Sequence, residues 1–293
     1  MSLPQGFHVT TTHAWMPVSP CGAGCIPPDR PGAGRWIAAT RLVRTAGVLA
    51  AAPALFTVQP LIPVAPRVRL QCAFSRLLLA SLGLRIVVVD KTGGVHPQQR
   101  GVLIVANHIS WLDPVVISAI APSSFVARSD MLTWPVIGHL ARCARTIPIA
   151  RENLRALPGT LHEVTRRLRA GHRVAVFPEG TTWCGRSWGT FRPAFFQAAF
   201  DSAVSVAPVH IRYTDAAGKL RTEPCFVGDD GFVQAFLRIL RLRDTTVEIT
   251  LLQHEPPIGD RKTLAARCEA HLRQADFAQL TFDGTFSPDP IVA

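Results

Sequence analysis

From Leu84 onward, short apolar runs alternate with stretches of helical spacing, and this alternation most restricts what the chain can fold into. The runs Leu84–Val89, Val102–Ala106, Ser124–Ala127, Thr146–Ile149, Arg173–Phe177, Val204–Tyr213 and Val247–Gln253 have the length and composition of strands. Helices are expected between them. Pro114–Ile120 has Asp113 as N-cap and Pro114 at the first helical position. Pro158–Ala170 gathers Leu161, Val164 and Leu168 on one face and stops at Gly171. Pro193–Ser202 follows a proline start, Gly231–Leu242 brings Phe232, Phe236, Ile239 and Leu240 together, and Asp260–Phe277 is a polar C-terminal helix. Strands alternating with helices indicate an α/β fold: a mixed, largely parallel sheet flanked by helices over residues 84–255. Residues 256–293 form a C-terminal helix and tail.

The part before Leu84 is different. Residues 1–34 are rich in Pro, Gly, Thr and Ser, lack periodicity and read as disordered. Residues 35–83 read as a membrane-associating helical segment. Up to Val89 there is one acidic residue, Asp29, against Arg30, Arg35, Arg41, Arg44, Arg67, Arg69, Arg76 and Arg85, in a chain of net charge +11. Arginines flanking apolar runs suit an anionic lipid surface, where each nearby cation contributes roughly 1 kcal/mol. Nucleic acid is the other partner a basic chain suggests, but exposed aromatics do not accompany the arginines, so none is expected. Thr45–Pro66 is uncharged and long enough to span a bilayer. Pro53, Pro60, Pro63 and Pro66 interrupt it, which favours a kinked, re-entrant or interfacial anchor. Val68–Leu82 carries Leu70, Phe74, Leu77, Leu78 and Ser81 at helical spacing, and both an amphipathic helix lying on lipid and an ordinary packing helix stay open.

The seven cysteines form no disulfide framework, which favours a reducing compartment, and the N-terminus has no secretory signal pattern. Cys21 and Cys25 make a C-x3-C pair without a second pair nearby, so no metal site is expected.

Two strings carry chemistry. Asn107-His108-Ile109-Ser110-Trp111-Leu112-Asp113 follows one strand and precedes a helix, the place where ligands gather in open α/β sheets. A neutral imidazole at His108 suits proton abstraction near pH 7. Asp113 suits both a helix cap and a partner that fixes the imidazole tautomer. On a continuous helix the two side chains would diverge, so they meet only if His108 lies in the turn and folds back. Phe177-Pro178-Glu179-Gly180-Thr181-Thr182 follows another strand. It reads equally as a plain turn and as one aiming N–H groups and hydroxyls at an anion. In that second reading Glu179 orients a basic residue or binds a hydroxyl. Arg151, at the end of Thr146-Ile147-Pro148-Ile149-Ala150, is the natural anion partner, with Arg186 and Arg192 weaker candidates. No G-x-S-x-G elbow, P-loop, G-x-G-x-x-G or zinc-ligand cluster is present.

At these residues the chain resembles the 1-acylglycerol-3-phosphate acyltransferases, the lysophospholipid acyltransferase family. Four blocks appear in order: N-H-x4-D at Asn107–Asp113, an I-P-I-x-R-like block at Ile147–Arg151, F-P-E-G-T at Phe177–Thr181, and an apolar strand with proline at Val206–Val209. The resemblance implies that residues 84–255 are an acyltransferase domain and that the enzyme works at the cytoplasmic face of the cell membrane. It implies that His108 is the general base and Asp113 its orienting partner. Asn107, Arg151, Glu179, Gly180, Thr181 and Thr182 would bind the acceptor. The implied reaction moves a fatty acyl group from acyl-CoA or acyl-carrier protein, as co-substrate, to a lysolipid, lysophosphatidic acid foremost, without a cofactor, metal or covalent acyl-enzyme. Trp183-Cys184-Gly185 is not demanded by these blocks, and a lyso-ornithine lipid acyltransferase carries the same ones. The rival from another class is a non-catalytic membrane lipid-binding protein, against which an intact His108–Asp113 pair argues.

Overall fold

The computed structural model describes residues 16–27, 32–58, 61–93, 101–133, 138, 141–142 and 144–283. Two helices lead in, α1 (Arg35–Val58) and α2 (Val64–Ser81). The strands are β1 (Leu84–Asp90), β2 (Leu103–Ala106), β3 (Ser124–Arg128), β4 (Ile147–Ile149), β5 (Val174–Val176), β6 (Val206–Thr214) and β7 (Thr245–Leu251). The later helices are α3 (Asp113–Ser118), α4 (Leu157–Arg169), α5 (Phe196–Ser202), α6 (Phe232–Leu240) and α7 (Arg261–Asp283). All seven expected strands form one sheet in the order β1-β7-β6-β2-β5-β3-β4. The pairing is parallel throughout except between β6 and β7.

The fully apolar run of β2 becomes a central strand buried on both faces, with Leu103, Ile104, Val105 and Ala106 inaccessible to solvent. Alternation splits it between two cores. Ile104 and Ala106 face the core that holds Leu79, Val116, Ile117 and Ile239, while Leu103 and Val105 face the one built with Val164, Leu168, Phe196 and Leu272. Helices therefore cover both sides: α2, α3 and α6 on one, α4, α5 and α7 on the other. Because β2, β5, β3, β4 and β6 run in one direction, their C-terminal ends open along a single edge, and all the motif residues lie on it.

The N-terminal part departs from expectation in two ways. Residues 16–27, expected to be disordered, hold a turn of 3-10 helix at Ala23–Cys25, and Cys21 is buried in the core while Cys25 and Ile26 pack against it. Residues 1–15 and 28–31 of the expected disordered stretch lie outside the described residues. Pro53 does not break α1, which continues through it to Val58. The break falls at Val58–Val64, with Pro63 as the N-cap of α2; Pro60 lies outside the described residues. No described helix is long and apolar enough to cross a membrane. Helix α2 packs through Cys72, Ser75 and Leu79 while Leu70 and Leu77 stay exposed, so the packing alternative holds for one face and leaves an apolar surface on the other. Trp36, Ile37, Leu42 and Val43 of α1 are exposed as well.

Helix α5 ends on Ala203 in the left-handed region, φ 52°, where its N–H caps Ala199 and Phe200. A Cβ in this conformation costs roughly 1–2 kcal/mol, which glycine avoids. The Ala203 side chain is exposed, so nothing is lost by removing it. Ala203→Gly is expected to stabilise the protein by about 0.5–1 kcal/mol in denaturant unfolding; a destabilised variant would remove the strain argument.

Candidate active site

The turn after β2 folds His108 back over the start of α3. His108 Nδ1 lies 2.8 Å from Asp113 Oδ2, and the same oxygen accepts the backbone N–H groups of Ile109 at 2.7 Å and Ser110 at 2.8 Å. The other oxygen accepts the Tyr213 hydroxyl at 2.8 Å. Asp113 is fully buried. The expected helix cap is therefore corrected: the carboxylate turns backward and closes the preceding turn, and Pro114 at the first helical positions removes a donor that would compete for it. A carboxylate accepts only, so Nδ1 carries the hydrogen and Nε2 presents a lone pair. Phe177 stacks on the imidazole with centroids 4.0 Å apart and planes 13° off parallel, which fixes the ring plane.

The second string holds the same turn from its other side. Glu179 Oε2 accepts the N–H of His108 at 2.8 Å and Oε1 that of Gly189 at 3.1 Å. It thereby fastens two loops by their backbones, with Arg273 within electrostatic reach. Burial is the main cause that pushes this carboxyl up to about 8, against those two N–H donors and nearby Arg273. Asn107 acts similarly: its amide nitrogen donates to Ile211 O at 2.9 Å and its oxygen accepts Ile211 N–H at 2.8 Å, which pins the turn to β6. The Thr182 hydroxyl donates to Phe226 O. Gly180 sits at φ +77°, and a Cβ there would come 2.8 Å from Pro17 Cγ, so the turn needs glycine for both reasons. Thr181 is half-buried beside them.

Arg151 lies farther along the edge, beyond the end of β4. Three strand spacings separate β2 from β4, roughly 14 Å. Arg128 and Arg192 are close enough to act on Arg151, and burial together with Arg128 pushes its guanidinium down to about 10. Arg128 is forked onto Asp130 at 3.0 and 2.7 Å. The expected anion partner is thus one of three neighbouring guanidiniums. Arg186 is not among them; it sits in the loop after Cys184.

Sequence reasoning missed Tyr213, Phe177 as a stacking partner, and Arg128. The last stands at the C-terminal end of a strand, a signal that was there to use. It also missed a recess beside His108 lined by Trp183, Trp188, Arg212, Arg273 and Asp276. Arg273 lies over the Trp188 ring, 4.4 Å from its centroid. His210 opens onto the same recess, and burial, with Arg212 and Arg273 nearby, pushes it down to about 3.

A family model described as Acyltransferase matches residues 88–212. A 1-acyl-sn-glycerol-3-phosphate acyltransferase of Neisseria gonorrhoeae is 34% identical over 183 residues, 62% of this chain and 70% of that protein. A Lyso-ornithine lipid O-acyltransferase of Pseudomonas aeruginosa is 34% identical over 219 residues, 74% of this chain and 83% of that protein. The crystal structure of the 1-acyl-sn-glycerophosphate (LPA) acyltransferase PlsC from Thermotoga maritima is similar in fold, with TM-score 0.61 at 17% identity over 86% of this chain and 97% of that one.

Glu179 generates a pH test. Its folded-state value of about 8 lies above the ordinary carboxylate range, so the folded protein holds a proton that the unfolded chain releases. Its contribution is complete below the unfolded value, about 4.3, and is lost as pH rises through 8. The opposing titration of His210 is half complete at pH 6.5 and adds only about 0.4 kcal/mol above it. Between pH 6.5 and 8 unfolding free energy is expected to fall by about 1–2 kcal/mol, and Glu179→Gln should abolish that slope. A wild-type profile that is flat or rising there would place the proton elsewhere.

Proposed function

The chain belongs to the lysophospholipid acyltransferase family, of 1-acylglycerol-3-phosphate acyltransferase type, and on that premise we propose that it acylates lysophosphatidic acid to phosphatidic acid. The donor is a thioester, acyl-CoA or acyl-carrier protein. The observation that carries this reading is the His108 Nδ1–Asp113 bond, which leaves Nε2 as the proton acceptor. Nε2 removes the proton of the acceptor hydroxyl as its oxygen attacks the thioester carbonyl. Collapse of the tetrahedral intermediate forms the ester, breaks the C–S bond, and returns the proton from the imidazolium to the leaving thiolate. A thioester is already activated, so no acyl-enzyme is needed and the cysteines have no part in the chemistry.

Arg151, with Arg128 and Arg192, holds the acceptor's phosphate in this reading, and guanidinium forks suit it bidentately. Gly180 and Thr181 border the path between that cluster and His108. Asn107, Glu179 and Thr182 serve by holding the backbone in place. The exposed apolar residues of α1 and α2, with their arginines, seat the enzyme on the anionic cytoplasmic leaflet. A lyso-ornithine lipid acceptor is the second reading. It is favoured by the Pseudomonas aeruginosa relative, which aligns with a larger share of both chains than the Neisseria gonorrhoeae one.

Membrane-bound protein, wild type beside His108→Ala, should be incubated with radiolabelled oleoyl-CoA and a panel that includes lysophosphatidic acid and lyso-ornithine lipid. Label is expected in phosphatidic acid with the wild type alone. His108→Ala is expected to lose at least 100-fold in rate with fold and membrane binding intact; retention within tenfold would remove the base assignment. Label in the ornithine lipid would establish the second acceptor. Transfer seen only with acyl-carrier protein would name the other donor. Arg151→Ala is expected to raise the KM for the phosphate-bearing acceptor with kcat little changed, and an unchanged KM would place the phosphate elsewhere.

A further inference from the structure

The sequence offers Cys21 and Cys25 without a second pair of ligands, and the fold supplies that pair from far along the chain. The sulfurs of Cys21, Cys25 and Cys184 all lie within 4.8 Å of one another. Cys225 stands near, within electrostatic reach of all three, with its sulfur outside that 4.8 Å group. Three of the six described cysteines therefore share one site with a fourth close by, and none is in a disulfide. Cys21, Cys184 and Cys225 are buried, and Cys25 packs against the same core.

Cysteine is a common buried residue, so burial alone argues nothing. Three further observations do. First, each of the three segments makes a tight loop at its cysteine. The Cys25 N–H donates to Gly22 O at 2.9 Å, that of Cys225 to Thr222 O at 3.0 Å, and Gly185, at φ +83°, turns the chain directly after Cys184. Second, the backbone N–H groups of Arg186 and Ser187 lie beside the Cys184 sulfur. Third, a guanidinium stands beside the cluster: Arg238, ion-paired with Asp230, also acts on Cys225 and donates to its carbonyl at 2.8 Å. A tetrahedral zinc–thiolate centre has Zn–S of about 2.3 Å and therefore sulfurs roughly 3.8 Å apart, which small rotations of these side chains reach.

We propose that Cys21, Cys25, Cys184 and Cys225 form a structural tetrathiolate zinc site that staples residues 16–27 to the loops around His108. Four protein ligands leave no open position, so the ion has no part in acyl transfer. Its effect is positional. Trp183, next to Cys184, donates its N–H to His108 O at 2.7 Å, and Phe226, next to Cys225, donates to Ile109 O at 3.0 Å. Pro17, ahead of Cys21, packs on Gly180. The staple thus gathers the three segments that brace the turn bearing the imidazole.

The test reads metal and does not depend on knowing the lipid substrate. The full chain is expressed in zinc-supplemented medium and purified in detergent with a reductant and without chelator. Elemental analysis is expected to give about one zinc per chain, released by a thiol-specific mercurial. Cobalt-exchanged protein should show the intense visible bands of tetrahedral thiolate-ligated cobalt. Cys21→Ser and Cys225→Ser should each cut bound zinc at least tenfold, whereas Cys72→Ser, remote from the cluster, should keep it. Wild-type protein with less than about one tenth of an equivalent of metal and no cobalt bands would overturn the proposal, even if every variant failed to fold. So would a disulfide among these four residues in protein isolated from a reducing cytosol, or zinc loss in Cys72→Ser equal to that in Cys225→Ser.

Discussion

One buried carboxylate organises this site. Asp113 receives four donors: His108 Nδ1, the N–H groups of Ile109 and Ser110, and the Tyr213 hydroxyl. An unpaired buried charge is costly, so the group is tolerated only when all of these converge. That demand ties together the end of β2, the start of α3 and the end of β6. The imidazole's tautomer follows from it, and so does its position at the open edge of the sheet.

Glu179 supplies the complementary constraint from β5. It grips the backbone of the same turn, with burial raising its affinity for a proton. Two carboxyl groups with different surroundings thus have different tasks, one orienting a side chain and the other clamping main chain. Much of what looks like substrate-binding chemistry in the two motifs is positioning. The lone pair left over is on Nε2 of His108, and farther along the edge Arg128 and Arg192 lie within electrostatic reach of Arg151. A hydroxyl to be deprotonated and an anion to be held can then lie along one edge of one sheet.

The α/β fold was legible because each of its parts is a local signal. The run Leu103–Ala106 is apolar at every position, and only a strand buried on both faces accommodates that. Helix α4 shows its inward stripe in Val164 and Leu168. The order of strands across the sheet and the antiparallel β6–β7 pair were not legible, since neither leaves a trace in local periodicity. The segment at residues 16–27 was misread for a related reason. Its Gly- and Pro-rich composition lacks a core of its own, and the order it has comes from packing on Gly180 and on Gly228, where an added Cβ would lie 3.2 Å from Gly22 Cα.

By itself the sequence determined the alternation of strands and helices, a spacing that lets His108 and Asp113 meet only through a turn ended by Pro114, and the family to which those blocks belong. Each depends on residues a few positions apart, where spacing and backbone preference act directly. Only the tertiary structure decided that Asn107 locks onto Ile211, that Tyr213 completes the Asp113 shell, that Arg151 has Arg128 and Arg192 beside it, and that Cys184 and Cys225 meet Cys21 and Cys25. Those contacts join residues up to some two hundred positions apart, and what joins them is the burial of two apolar faces of one sheet, which no local pattern encodes.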